Sequence, residues 1–334
     1  MQLNFFRHDQ ELARLLLPKN KIYQHRLYPC MNIRPLFSIV IPTYNRGNIL
    51  PAAVRSVLAQ SCPDFELIIV DDGSSDDTAT VVAGFADHRI RYMHQENGGG
   101  SKARNTGIKA AQGKYIAFLD ADDTFLPDHL ANALPVLESG NMTCTYTQVI
   151  VDRGHGLSFL KPPRAPRPDE HIADYLFRDR GFVQTSTLIV PARLAKQVKY
   201  DEQLHFGQDP DFAIRLVHAG AHLQMLPEPG AVWNDRWSPS RLSSKHDPEV
   251  RLAWLERTKK LLTRRAYLAD RGWHVAKAYA RQGKSGKALA LYLRALAAGC
   301  FRPKMALVVF LQIILPVDNY RKLADSLARC GFRP

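Results

Sequence analysis

The sequence predicts an α/β fold, a doubly wound mixed sheet followed by a helical C-terminal extension, on three observations. Short, near-continuous apolar runs such as FSIVIP (37–42), FELIIV (65–70) and YIAFL (115–119) have the character of strands covered on both faces. Amphipathic helical segments alternate with those runs, as crossovers between parallel strands require. From about Pro248 onward the pattern is helical.

Taken in order, residues 1–34 carry no strong pattern and are expected to be an extension with no assigned role. After the first strand, NILPAAVRSVLAQS (48–61) places Leu50, Val54, Val57 and Leu58 at helical spacing, and FELIIV closes a βαβ unit. SSDDTATVVAGFA (74–86) opens on capping residues and predicts a second crossover helix, and IRYMHQ (90–95) a third strand. The glycine-rich NGGG leads into a helix ending at Gly113, before YIAFL and a cluster of acids. Pro127 opens a helix to about Glu138, and TCTYTQVIV (143–151) is a further strand. Residues 153–180, with KPPRAPRP, are expected to form a linker or a mobile lid. VQTSTLIVP (183–191) resumes strand character, QDPDFAIRLVHAG (208–220) is an amphipathic helix with acids in its first turn, and HLQML (222–226) is a short strand. The expected division is an extension over 1–34, an α/β domain over 35–245 and a basic helical region over 246–334.

The totals exclude several classes. At 334 residues, with 46% hydrophobic and 23% charged, the chain is long and apolar enough for a large core. Five scattered cysteines with no C-x-x-C pair indicate neither a disulfide framework nor a zinc site, and fit a reducing compartment. The longest apolar run, MALVVFLQIILPV (305–317), falls short of the roughly 20 residues that a bilayer span needs. A cytoplasmic protein is expected, peripheral to the inner membrane face if attached at all. Net charge is +13, and residues 236–334 hold 21 Lys/Arg against 6 Asp/Glu. An anionic membrane surface or an acidic partner fits that tail, with plain solvated helix faces as the alternative; nucleic acid is not expected, because no recognition motif accompanies the charge.

In doubly wound sheets ligands bind beyond the carboxyl ends of the strands. PTYNR (42–46) follows the first strand, DDGSS (71–75) the second and DADD (120–123) a later one, so three polar clusters are expected on one rim. If the strand runs to Leu119, alternation points Asp120 and Asp122 the same way, and two hard oxygen ligands there suit Mg²⁺ or Mn²⁺ holding phosphate oxygens. The plain alternative is a solvated turn. No G-x-G-x-x-G follows the first strand and no G-x-x-x-x-G-K-[ST] occurs, which argues against a dinucleotide enzyme and a P-loop NTPase.

In order, SIVIPTYNR, ELIIVDDGSSDDT, NGGGSKARNTGIKAAQGKYIAFLDADD and GQDPDFAIRL closely resemble the inverting glycosyltransferase family 2, whose members have the GT-A fold. The resemblance, spanning about residues 37–243, implies transfer of a sugar from a nucleotide-diphosphate donor, expected to be a UDP-sugar, to an acceptor hydroxyl of a surface polysaccharide or a lipid-linked glycan. It implies that Pro42 and Tyr44 line the base pocket and that Asp72 reads the base, with Asp71 supporting the turn; a capped β-turn is the alternative for both acids. Arg104 either reaches the ribose or phosphates or forms a salt bridge. Asp120 is implied to contact ribose or metal-bound water, Asp122 to bind Mn²⁺ or Mg²⁺, and Asp123 to cap the following segment. Asp209 is the implied base, while Asp211 matches a structural acid. Gln208 departs from the family pattern, where Glu is common, and VWNDRWSPSRLS (232–243) lacks the usual R-x-H, leaving Arg236 and Arg241 for phosphate and Trp233 and Trp237 for stacking or packing. A non-catalytic sugar-nucleotide or glycan-binding protein, or a metal-dependent nucleotidyltransferase, are the rival readings.

Overall fold

The computed structural model describes residues 34–236 and 247–330. The extension before Arg34, together with Trp237 and Arg241, therefore lies outside the described residues.

Nine strands form one mixed sheet in the order β3-β2-β1-β4-β8-β6-β9-β5, with β7 paired to β6. The parallel half consists of β1 (Phe37–Thr43), β2 (Phe65–Asp71), β3 (Ile90–His94) and β4 (Tyr115–Phe118). Period-2 alternation sends Ile39, Ile41, Leu67 and Ile69 into one buried layer and Val40, Ile68 and Val70 into the other, which is why these runs are apolar throughout. The crossovers are α1 (Leu50–Leu58), α2 (Thr78–Ala83) and α3 (Gly100–Ala110). The acids after β4 are followed by the two-residue β5 (Thr124–Phe125), too short to read from sequence, and by α4 (His129–Glu138).

The second half departs further from expectation. β6 (Thr143–Asp152) pairs antiparallel with β8 (Ile189–Pro191) and parallel with β9, which extends over His222–Asn234 rather than the short HLQML run. The supposed linker at 153–180 is built into the fold. Within it, β7 (Ser158–Lys161) pairs with β6, and α5 (Ile172–Arg178) buries Ile172, Ala173, Tyr175, Leu176 and Phe177. Its prolines and arginines hid an apolar face only seven residues long. α6 (Ala192–Val198) and α7 (Gln208–His218) precede β9.

Beyond Pro248 come α8 (Pro248–Thr258), α9 (Arg264–Asp270), a π-helical segment (Arg271–Val275), α10 (Ala276–Arg281), α11 (Ser285–Ala297), α12 (Pro303–Ile314) and α13 (Val317–Arg329). Trp254, Leu255, Ala266, Val275, Tyr279 and Tyr292 share one continuous core with Val40, Ile116 and Phe118 of the sheet. Among the described residues no helix is long and apolar enough to cross a membrane.

One close approach sets how α3 lies on the sheet. A Cβ on Gly107 would stand 2.3 Å from Val40 Cγ1. Alanine normally favours a helix over glycine by about 1 kcal/mol, but here it must push α3 off β1. Gly107→Ala is expected to lower stability by about 1–3 kcal/mol in urea unfolding, the scale of overpacking; a stabilised variant would contradict this packing.

Candidate active site

The rim beyond β1, β2 and β4 gathers the predicted residues, and each is held by a different local device. Pro42, near the end of β1, is half-buried, and Tyr44, just past it, is 49% exposed. Asn45 adopts φ 50°, and its side-chain oxygen accepts from Ser75 N at 2.8 Å, which ties this loop to the one after β2. Asp71 accepts from Ser74 N at 2.8 Å and from the Tyr92 hydroxyl, and so supports the turn. Asp72 is buried and faces the glycine-rich loop, accepting from Gln95 Nε2 at 2.6 Å, Gly98 N at 3.0 Å and Gly99 N at 2.7 Å. Gly99, at φ +88°, turns the chain so that successive amides meet that carboxylate.

The acidic cluster forms differently from the alternation argument. β4 stops at Phe118, and residues 120–123 make a turn closed by Asp123 N donating to Asp120 O at 3.0 Å. Turn geometry, not strand pleat, brings these acids together. Asp123 does not cap the next segment: it is buried and accepts from Ser186 Oγ at 2.6 Å, Gln184 Nε2 at 2.7 Å and Asn234 N at 3.1 Å. Burial first, then the charges of Asp120 and Asp122, push its carboxyl well above the usual range.

Arg104, on α3, forms a salt bridge with the acidic turn and a hydrogen bond to a second element. Its Nη2 donates to Asp120 Oδ1 at 2.5 Å and its Nη1 to Gln208 Oε1 at 2.7 Å, at the start of α7. Burial alone would pull this guanidinium down, but Asp120, Tyr200 and Asp209 more than offset it and leave it raised. Gln208 also donates to Leu204 O at 2.8 Å. A glutamate there has no N–H with which to make that second bond.

Asp209 is held by Thr185, whose hydroxyl donates to Oδ1 and whose backbone N–H donates to Oδ2 at 3.4 Å. Burial, then Asp120, raises the Asp209 carboxyl; Arg104 and the Thr185 hydroxyl act in the opposite sense. Asp211 is structural, paired with Arg215 at 2.5 Å and bonded by Trp254 Nε1 at 2.8 Å. The segment Gln184 to Ser186 was read only as strand. Its residues instead join the acidic turn to Asp209, since Ser186 Oγ also accepts from Asp120 N at 3.1 Å. Small polar residues before an apolar run were the only available signal.

Two residues at the end of β9 and just after it have partners within the protein. Arg236 pairs with Asp152 at 2.8 Å, and Trp233 stacks on Phe182 with ring centroids 5.5 Å apart, which matches the packing alternative.

Among the described residues no group of three or more His, Cys, Asp or Glu is placed to hold a metal ion. The donor set is that of a shared site: Asp120 and Asp122 present carboxylates whose field already raises Asp123, and Arg104 engages only one oxygen of Asp120. One or two carboxylates completed by substrate phosphates is how Mg²⁺ is commonly held. The residues present fit such an ion.

Residues 38–200 match the model of Glycosyl transferase family 2. The chain is 34% identical over 276 residues to the amylovoran biosynthesis glycosyltransferase AmsB of Erwinia amylovora, covering 77% of this chain and 89% of AmsB. It is 48% identical over 215 residues to the uncharacterized glycosyltransferase EpsJ of Bacillus subtilis, covering 58% and 59%. Among solved structures, S. aureus TarS 1–349 in complex with UDP-GlcNAc superposes with a TM-score of 0.62 at 21% identity, covering 88% of this chain and 92% of that one. The mannosyltransferase PcManGT from Pyrobaculum calidifontis, in complex with GDP-Man and Mn2+, gives 0.53 at 18% identity, covering 99% and 88%. The expected GT-A architecture is the one observed.

Proposed function

The chain belongs to glycosyl transferase family 2 and is a glycosyltransferase, and from that premise we propose an inverting transfer from a UDP-sugar to an acceptor hydroxyl with Asp209 as the base. The observation that carries this reading is the Arg104 bridge, which holds Asp120 beside the start of the Asp209 helix. Support for a UDP-sugar comes from TarS, whose structures contain UDP-GlcNAc and UDP. The name of AmsB, amylovoran biosynthesis, supports a polysaccharide or a lipid-linked glycan as the product class.

In this reading Tyr44 stacks on the base, for which aromatic stacking is worth about 1–3 kcal/mol. Pro42 shapes the same pocket. Asp72 holds the glycine-rich loop against the nucleotide and keeps acceptor capacity for the ring N–H of the base. Asp120 contacts the ribose, and Asp122, with Asp120 beside it, holds Mn²⁺ or Mg²⁺. A bound divalent ion supplies charge neutralisation of the diphosphate as it departs. Asp209 takes the proton from the acceptor hydroxyl, and the acceptor oxygen bonds to the anomeric carbon from the face opposite the diphosphate. The bond from that carbon to the diphosphate oxygen breaks, and its electron pair leaves with the nucleotide. Thr185 positions Asp209: its hydroxyl favours the ionised form that a base needs, against burial that disfavours it.

We further propose that the C-terminal helices rest on an anionic membrane surface. Leu289, Leu293 and Leu296 on α11, Leu307 and Ile314 on α12, and Leu323 and Leu327 on α13 are exposed among the lysines and arginines of that region. Exposed apolar side chains set among bases are the pattern of an interfacial helix.

Three results are expected. With Mn²⁺ and UDP-sugars, Asp209→Asn should lower kcat by about 10²–10⁴-fold, the usual worth of general-base catalysis, with UDP affinity unchanged. Asp122→Asn should weaken the metal dependence of UDP binding. Full turnover in Asp209→Asn would remove it as the base. In vesicle flotation the protein should associate with phosphatidylglycerol vesicles and not with phosphatidylcholine alone, and leave them as salt rises; equal recovery in both would count against membrane docking.

A further inference from the structure

A hollow of about 90 Å³ lies where the segment leading into α7 meets the C-terminal helices, with His205, Asp247, Arg251, His274 and Lys277 in its wall. None of Pro42, Tyr44, Asp72, Arg104, Asp120 and Asp122 lines it. Its polar groups are under-satisfied. Arg251 is 6% exposed; its Nε and Nη2 bind Asp270 at 3.0 and 2.5 Å, and its guanidinium lies 4.0 Å from the Trp254 ring centroid. Nη1 is left buried without a hydrogen-bond partner, 2.2 Å from where a Cβ on Gly207 would stand, two residues before Asp209. Lys277 is half-buried and has no hydrogen-bond or ion-pair partner among the described residues. Burial, then Arg281, Lys161 and Arg251, pull its ammonium down to about 7.

The nearby acids are committed elsewhere. Asp270 serves Arg251 and lies 3.2 Å from His274, while Asp247 caps α8 by accepting from Glu249 N at 2.8 Å. His274 sits in the π-helical segment, a distortion frequent at functional sites.

We propose that this hollow is an anion subsite that takes a phosphate group of the acceptor, with phosphate oxygens accepting from Lys277 Nζ beside the Arg251 guanidinium in the same wall. The space has room for a group the size of one phosphate. Its wall comes from the segment that delivers the base and from the C-terminal helices, and the donor residues have no part in it. Calling the phosphate the acceptor's rests on the transferase reading; anion binding itself does not.

The test is calorimetric titration of the full chain with inorganic phosphate, alone and in the presence of UDP with Mn²⁺. Phosphate should bind the native protein, about tenfold more weakly in Lys277→Gln, with binding retained in Lys277→Arg and unchanged in the exposed control Lys304→Gln. UDP affinity should be the same in Lys277→Gln, and phosphate and UDP should bind together. Absence of phosphate binding, or an unaltered affinity in Lys277→Gln, overturns the site. Competition between phosphate and UDP would assign the hollow to the donor diphosphate and overturn the acceptor assignment. Phosphate binding in a chain that fails to bind any UDP-sugar would support the anion site while sinking the donor reading.

Discussion

A single buried guanidinium, that of Arg104, joins the acidic turn after β4 to the N-terminus of the helix carrying Asp209. Without it, Asp209 would meet the charge of Asp120 with no offsetting cation, and burial and that charge together disfavour its ionisation. The cation favours the charged form of Asp209. It is itself kept in place by α3, whose Gly107 brings the helix close onto Val40 of β1. The rest of the site follows from that contact: the glycine-rich loop starts α3, Asp72 holds the loop, and Gln208 fixes the entry to α7.

The C-terminal helices take part in the same arrangement. Trp254 donates to Asp211 in the first turn of α7, and Arg251 packs against Gly207, whose left-handed φ of 76° turns the chain into that helix. A glycine is needed at that point both for its backbone angle and because the guanidinium fills the space a side chain would take. The Arg251–Asp270 pair is buried on both sides. Removing one partner would leave an uncompensated charge, a change that commonly costs about 3–5 kcal/mol. The helix that carries the proposed base is thus braced by residues more than forty positions further along the chain.

Much of this was legible in the residues, and what was not has physical causes. The parallel strands were readable because burial on both faces demands unbroken apolar runs, and the polar clusters at their ends marked the rim. α5 and β7 were hidden because each is short and flanked by proline and arginine. The 13-residue β9 was seen only in part because its half-exposed pattern of mixed polar residues has no strong period. Asp120, Asp122 and Asp209 were identifiable from their motifs. The function of Thr185 and Ser186 was not, since a hydroxyl that orients a carboxylate leaves no mark in spacing or composition. Asp123 illustrates the same limit: only the fold reveals that its partners are Gln184, Ser186 and Asn234.

The account stands most directly on the coupling between Arg104 and Asp209. A carboxyl-detected NMR titration of Asp209, in the native chain and in Arg104→Gln, reads that coupling without requiring turnover. Asp209 should titrate above the usual 3.8 in the native protein and higher still in the variant, because burial and Asp120 then act without the offsetting cation. A native value at or below 3.8, or one that Arg104→Gln leaves unmoved, would contradict the claim that this guanidinium governs the proposed base.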